Sequence, residues 1–301
     1  MQPTVRRRAV KVPRGQFKGP RKHILDQAVR HLRANDDTML QGEPCCSKAA
    51  FEHPRLRKCP YALSTVDWGK AVRLGGGLDG YVWKVHFGTN GPYALKVFYD
   101  AEPPDIMHYY AFQRECQNAA LVQMIGAAVQ RATTTEPIVI KSTPTTNDDA
   151  RANLLAFSDE QRQRRQSQRT VIDKGDMIVS TVPPLTQCFG WLEFDGQDFR
   201  KMPYQVRPPT TKVDKLIRGF SSDRNYFGIV FEYVADEQNN QGLVEEVDWF
   251  LYRAGFSHTL SPDRRNWCGS KVVDHSEYVH PEGFGWSSNL YGPRLSEQIL
   301  V

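Results

Sequence analysis

A glycine-rich segment at residues 74–85 constrains the fold of this chain more than any other stretch. Gly75, Gly77 and Gly80 follow the spacing G-x-G-x-x-G, and Val82 extends the pattern. Such triplets also occur in ordinary tight turns, because glycine tolerates backbone conformations that other residues avoid. The residues after the last glycine are aromatic and β-branched, which predicts a strand. A dinucleotide-binding fingerprint opens a helix at this point, so the pattern instead predicts a glycine loop between two strands.

Composition limits the class of protein. The chain has 301 residues, of which 40% are hydrophobic, enough to form a core. It has neither the N-terminal apolar core of a secretory signal nor an apolar run long enough to cross a bilayer, so no membrane partner is expected. The six cysteines form no C-x-x-C pair, which argues against a zinc site and for a reducing, intracellular compartment. Cys116 and Cys188 lie in apolar segments, and we expect both in the core.

Basic residues are concentrated in the first 22 positions. They are Arg6, Arg7, Arg8, Lys11, Arg14, Lys18, Arg21 and Lys22, in a chain with a net charge of +5. This composition predicts a tail that is disordered when free, and it is also typical of a nuclear-import signal or a nucleic-acid contact. Apolar residues then recur at helical spacing over residues 24–32, whereas residues 36–62 show no periodicity. We therefore interpret residues 1–60 as a basic flexible tail with a short amphipathic helix.

A lysine interrupts an apolar strand predicted at residues 93–98. A charged residue such as Lys96 is costly in this setting unless its ammonium is paired or reaches water. An edge-strand lysine that extends into solvent is one reading. The glycine loop just upstream favours the other reading, in which Lys96 contacts a phosphate.

An amphipathic helix is predicted at residues 108–129. Glu115 lies within it, 19 residues after Lys96. A lone helix glutamate is commonly solvated, but the order of glycine loop, Lys96 and Glu115 favours a lysine–glutamate pair. These elements make residues 61–131 the first part of one lobe.

The middle of the chain alternates between polar and apolar stretches. Residues 132–175 are rich in Thr, Asp, Gln and Arg and are interpreted as a flexible insertion. Residues 176–235 contain the remaining strands of the lobe. The last of them, at residues 227–234, ends at Glu232 and Val234 and leads into a polar loop.

Two oxygen-bearing side chains lie in the C-terminal part, residues 236–301. After a helix that ends at Gly255, Asn266 is followed eight residues later by Asp274, which ends an apolar strand. Both are common in ordinary turns. They are also suitable oxygen ligands for Mg²⁺ on one side of a cleft, which is the second reading.

These motifs together resemble a protein kinase-like domain. The match runs from about residue 68 to residue 280 and, more narrowly, the chain resembles a fungal family of kinase-like proteins described as inner-kinetochore subunits of the Sim complex. The narrower match rests on the segments 74–85, 93–98, 114–116, 265–267 and 273–276. The resemblance implies an α+β fold: an antiparallel-sheet N-lobe with one main helix, and a strongly truncated helical C-lobe.

The resemblance also implies roles for individual residues, with ATP and Mg²⁺ as cofactors. Gly75, Gly77, Gly80 and Val82 would cover the phosphates, Lys96 would contact them, and Glu115 would orient Lys96. Phe231 would lie at the back of the adenine pocket, with Glu232 and Val234 offering backbone groups. Asn266 and Asp274 would hold the metal.

The chain departs from the kinase pattern at several positions. Ser261 stands where the catalytic base Asp is expected, and Asp263 is the nearest acidic substitute. The metal-binding triplet is Asp-His-Ser rather than Asp-Phe-Gly, beginning at Asp274. Little sequence remains to form the helical platform that binds substrates. These departures predict impaired catalysis with nucleotide binding retained.

Three functions are therefore open. The first is a kinase-like module that binds ATP and acts as a largely non-catalytic subunit of a multi-protein nuclear assembly, for which the resemblance suggests a kinetochore. The second is an active divergent kinase that uses Asp263 as base, on a protein or a small molecule. The third is a nucleic-acid binder acting through basic residues 1–22. A cytoplasmic location is the alternative to a nuclear one.

Overall fold

The computed structural model describes residues 33–104, 109–168, 172–213, 215–259 and 263–301. The basic N-terminal segment, the predicted helix at 24–32 and Ser261 lie outside these residues. The described part is a mixed α/β structure built around one large sheet. None of its helices is both long and apolar enough to cross a membrane.

Fifteen strands and seven α-helices lie within the described residues. The strands are β1 (Asn35–Met39), β2 (Leu56–Lys58), β3 (Val72–Gly76), β4 (Gly80–Phe87), β5 (Asn90–Phe98), β6 (Ile138–Lys141), β7 (Asp176–Val179), β8 (Cys188–Asp195), β9 (Thr211–Val213), β10 (Leu216–Arg218), β11 (Asn225–Glu232), β12 (Ser257–His258), β13 (Trp267–Cys268), β14 (Lys271–Val272) and β15 (Tyr278–Val279). The helices are α1 (Lys48–Glu52), α2 (Ala111–Arg131), α3 (Asn147–Leu155), α4 (Asp159–Gln168), α5 (Asp198–Lys201), α6 (Gln241–Arg253) and α7 (Ser296–Ile299).

The large sheet has seven strands in the order β1-β2-β8-β11-β5-β4-β3. The five strands from β8 to β3 are antiparallel, as predicted. The two strands at the other edge are joined in parallel, so the whole sheet is mixed. Both of these strands lie in the segment that was expected to be a flexible tail. Its aperiodic sequence concealed them because both strands are short.

The glycine loop joins β3 and β4, and the strand predicted after the last glycine is confirmed at Gly80–Phe87. The third strand, β5, is internal, since it pairs with β4 on one side and β11 on the other. Lys96 therefore lies in the centre of the sheet, and the edge-strand reading of this lysine is wrong. The predicted helix is confirmed at Ala111–Arg131.

One face of the sheet carries an aromatic core centred on Trp83, which is fully buried. The connection between β8 and β11 covers this face through Phe199, Met202 and Phe220. Trp83 donates its indole N–H to the carbonyl of Val206 at 2.8 Å, which fastens the connection to the sheet. Burial of such large aromatic surface is a major source of stability.

Helix α2 belongs to two hydrophobic cores other than the aromatic one. Its first half, including Phe112 and Cys116, packs against the other face of the sheet. Its second half, including Leu121 and Ile125, packs into a second core formed by the C-terminal part of the chain. The core positions expected for Cys116 and Cys188 are confirmed, since both are buried and free.

The second core also contains the segment that was predicted to be a flexible insertion. Ile138, Ile140, Leu154 and Phe157 from this segment are buried beside α6. Helix α3 begins with a capping box in which Thr146 and Asp149 satisfy each other's backbone N–H groups. The insertion reading of residues 132–175 is therefore wrong for the described part. This segment instead forms short strands and helices that complete the second lobe. Their apolar positions were hard to recognise in the sequence because many polar residues surround them.

Candidate functional site

The centre of the candidate site is a charge cluster where the central sheet, α2 and the C-terminal part of the chain meet. Lys96 Nζ lies 2.6 Å from Glu115 Oε1 and 3.1 Å from Asp274 Oδ2. Lys96 is 7% exposed and Glu115 is fully buried. The solvated reading of Glu115 is therefore wrong, and the structure brings together the three charged residues singled out in the sequence.

Three elements position this cluster. Lys96 stands on β5 directly opposite Val82 of β4. Glu115 lies on the first half of α2. Asp274 directly precedes a turn of 3-10 helix, and its side chain accepts a hydrogen bond from the backbone N–H of Ser276 in that turn. Asp274 Oδ1 also accepts the Ser276 hydroxyl at 2.7 Å, which fixes the orientation of the carboxylate.

Helix α2 holds the Asp274 segment through two further side chains that the sequence analysis missed. Asn118 donates its amide to the carbonyls of His275 and Tyr278, both at 2.7 Å. Arg114 donates to the carbonyl of Phe284 at 2.8 Å. In the sequence, both residues lie close to Glu115 on the helix: Arg114 directly precedes it, and Asn118 follows it by about one turn.

Burial and charge act in opposite directions on the three groups. Burial disfavours charged Lys96, but Asp274 and Glu115 outweigh it and hold the pKa of the ammonium above its ordinary value. Burial raises the pKa of Glu115 to about 8 despite Lys96. Burial also opposes the charge of Asp274, yet Lys96 and Ser276 lower its pKa to about 2. Asp274 therefore stays ionised beside Lys96 at neutral pH.

The glycine loop lies beside this cluster, and its glycines have different roles. Gly75 has a φ of 146°, a conformation that favours glycine, at the point where the register of β3 and β4 shifts. A side chain on Gly80 would collide with the carbonyl of Val97. A side chain on Gly77 would meet open space. Gly75 and Gly80 are thus required by the backbone, whereas Gly77 leaves room above the loop.

The loop also contains an acidic residue that the sequence analysis did not single out, Asp79. Asp79 Oδ2 accepts the hydroxyl of Tyr109 at 2.6 Å. Burial raises the pKa of Asp79, while Tyr109 and Lys96 act against this shift. Its position in the sequence, between Gly77 and Gly80 of the glycine motif, could have indicated that it lies near the site.

The end of β11 approaches the same region. The ring of Phe231 lies 4.8 Å from that of His275, the residue after Asp274. The Glu232 side chain pairs with Lys271 at 2.6 Å, and its backbone N–H is bonded to Gln187. The hairpin formed by β13 and β14 packs against the segment that follows β11, where Gly269 lies against the side chain of Val234. Phe231 therefore lies beside the Asp274 segment, whereas the backbone N–H of Glu232, which the resemblance would offer to an adenine, is already bonded within the protein.

Asn266 and Asp274 are neighbours, because the N–H of Val273 donates to the carbonyl of Asn266 at 2.8 Å. The Asn266 amide N–H₂ is bonded to Glu277, which leaves its oxygen to act as a ligand. Within the described ranges, no three His, Cys, Asp or Glu side chains converge so as to hold a metal alone. Asn266 and Asp274 thus fit Mg²⁺ that also takes oxygen ligands from a bound phosphate.

Asp263, the predicted base, is engaged by a neighbour. Its two oxygens accept from Arg265, with Asp263 Oδ2 and Arg265 Nη2 2.6 Å apart. Hydrogen bonding to Arg265 lowers the pKa of Asp263. A carboxylate held in this way is a weak proton acceptor, although its charge is near enough to interact with that of Asp274.

Searches against protein-family models, curated proteins and solved structures find no match to this chain.

Proposed function

We propose that this chain is a protein kinase-like module that binds ATP with Mg²⁺ in the cleft beside Lys96 and works mainly as a non-catalytic subunit of a nuclear assembly. The observation that carries the proposal is the position of Lys96 between Glu115 and Asp274. In protein kinases a strand lysine is paired with a helix glutamate and contacts the α- and β-phosphates, while an aspartate nearby binds the metal.

The surroundings of the cluster support the same assignment. A glycine loop, the lysine strand β5 and the strand β11 belong to one antiparallel arrangement, and α2 packs across it. Asn266 lies beside Asp274, and in protein kinases an asparagine is the second metal-binding residue. When bound, Mg²⁺ would neutralise phosphate charge, and Lys96 would orient the phosphates.

The details of the second lobe favour impaired catalysis over active transfer. Asp263 is engaged by Arg265, and the triplet that follows the metal-binding Asp lacks the usual Phe and Gly. Helix α6, with 13 residues, is the longest described helix in this lobe, which offers little platform for a substrate. An active kinase that uses Asp263 remains the second candidate, and it requires Arg265 to release the carboxylate.

The nuclear setting and the protein partners are the part of the proposal that rests on the family resemblance. The basic residues 1–22 would supply a nuclear-import signal or a nucleic-acid contact. Binding through such a segment would weaken steeply with salt and would disappear when residues 1–22 are deleted.

Thermal unfolding against MgATP tests the nucleotide site. A ligand present at one hundred times its Kd stabilises the folded state by about 2.7 kcal/mol. We expect a dose-dependent rise in Tm for the wild type that Lys96→Ala loses. Lys70→Ala, which removes an exposed lysine of the same lobe, is the matched control and should keep the rise. No shift at millimolar MgATP would overturn the proposal.

A further inference from the structure

The loop that should receive phosphates presents a carboxylate to the cluster. Asp79 directly precedes Gly80, which pairs with Phe98 of β5 two residues after Lys96, and the charge of Asp79 interacts with those of Lys96 and Asp274. The Lys96 ammonium is already within 3.1 Å of two carboxyl groups. Asp79 is therefore a third acidic group in the field of one lysine, and it adds negative charge on the phosphate side.

The loop tip is held in place by several hydrogen bonds. The backbone N–H of Tyr99 donates to the carbonyl of Asp79 at 3.0 Å, and Arg218 Nε donates to the carbonyl of Leu78 at 2.9 Å. The hydroxyl of Tyr109 then holds the Asp79 side chain at 2.6 Å. Arg114 stacks on the other side of this tyrosine, 4.2 Å from its ring centre. The carboxylate is thus placed by its surroundings and does not extend freely into solvent.

We propose that Asp79 is a specificity-determining residue of the cleft, an internal anion that competes with a bound polyphosphate for Lys96. This inference rests on the proposed nucleotide-binding function. A like charge close to a phosphate opposes binding, and the effect is strongest where water is excluded. The uncharged part of a nucleotide does not experience this repulsion. Asp79 therefore lowers affinity according to the charge of the ligand and leaves recognition of the nucleoside unchanged.

The test compares ATP with adenosine in Mg²⁺ buffer by isothermal titration calorimetry. Two neutral replacements, Asp79→Asn and Asp79→Ser, remove the charge, and Asn keeps an oxygen that Tyr109 can bond. The matched control is Asp67→Asn, which removes one carboxylate next to the opposite end of β4. Thermal unfolding of each variant shows that it is folded.

We expect both Asp79 variants to bind ATP about tenfold more tightly than the wild type, with adenosine affinity unchanged within about twofold. Unchanged ATP affinity in both folded variants, while Lys96→Ala weakens binding, would overturn the role of Asp79 and leave the nucleotide site standing. An equal gain for adenosine would also overturn it, because the effect would then be independent of ligand charge. Absence of ATP binding in every folded variant would overturn both proposals.

Discussion

The ammonium of Lys96 lies 3.1 Å from the carboxylate of Asp274, and this contact joins the central sheet to the C-terminal part of the chain. Lys96 belongs to the central sheet, whereas Asp274 precedes a turn that α2 anchors through Asn118. Glu115 approaches the same ammonium from α2, which runs through both cores. The three charged groups therefore meet only when the two lobes are correctly placed relative to each other.

Removal of the lysine should destabilise the fold as well as the nucleotide site. Lys96→Met leaves the buried Glu115 and the partly exposed Asp274 without their cation, and breaking a buried pair costs about 3–5 kcal/mol. Urea denaturation at pH 7 measures the loss in the free energy of unfolding. Lys70→Met, at an exposed pair with Asp67, should leave the midpoint within experimental error. A loss for Lys96→Met below about 1 kcal/mol would show that the cluster is not a structural pair.

The two aspartates of the C-terminal motif should respond differently to substitution. Asp274→Asn removes the counter-ion of Lys96 and the proposed metal ligand, so we expect the MgATP-induced rise in Tm to vanish. Asp263→Asn removes a carboxylate that faces Arg265, and we expect the rise to persist. The same variant tests the divergent-kinase alternative, since loss of phosphoryl transfer on Asp263→Asn would establish Asp263 as the base. Loss of the thermal shift in Asp263→Asn would instead contradict the separation of roles.

Substitutions at two glycines of the loop distinguish a glycine that the backbone packing requires from a glycine that leaves space for a ligand. Gly80→Ala places a methyl group against the carbonyl of Val97, and overpacking of this kind costs about 1–3 kcal/mol. Gly77→Ala projects into open space and should leave the free energy of unfolding unchanged. The Gly77 variant should nevertheless weaken ATP binding if phosphates approach the loop closely. Equal stability of the two variants in urea would disprove the assigned contact at Gly80.

Glu277 should give stability an unusual dependence on pH. Burial raises its pKa to about 7, above the value of about 4.5 expected in the unfolded chain. Between these values the folded state holds a proton that the unfolded state has lost, so the free energy of unfolding falls as pH rises from 5 to 7, by up to about 3 kcal/mol. Glu115 acts in the same direction up to its own pKa of about 8.

Glu277→Gln removes one of these two titrations, and urea denaturation at pH 5 and pH 7 should show a smaller decline than in the wild type. Glu245 provides the control, because hydrogen bonds from Ser296 lower its pKa and keep it ionised in the folded state across this window. Glu245→Gln should therefore leave the pH slope nearly unchanged. A slope in Glu277→Gln identical to that of the wild type would contradict the buried, protonated state of Glu277.

Local pattern was sufficient for three elements of the first lobe, β4, β5 and α2. The alternation of residues 80–87 and the apolar run around Lys96 predicted β4 and β5, because a strand buried in a sheet needs β-branched and aromatic side chains. Helix α2 followed from its 3.6-residue periodicity. The order of the glycines, Lys96, Glu115 and Asp274 was enough to expect a common site, although the sequence contains no distances.

The sequence by itself determined which side chains carry charge and which segments repeat at strand or helix spacing. Tertiary structure decided which of these residues meet: it placed β1 at the sheet edge with β2 beside it, built the second core partly from residues 138–157, and paired Asp79 with Tyr109. The physical reason is that short segments with few apolar residues become ordered only through burial against distant partners, and the effect of a carboxylate depends on the charges that surround it.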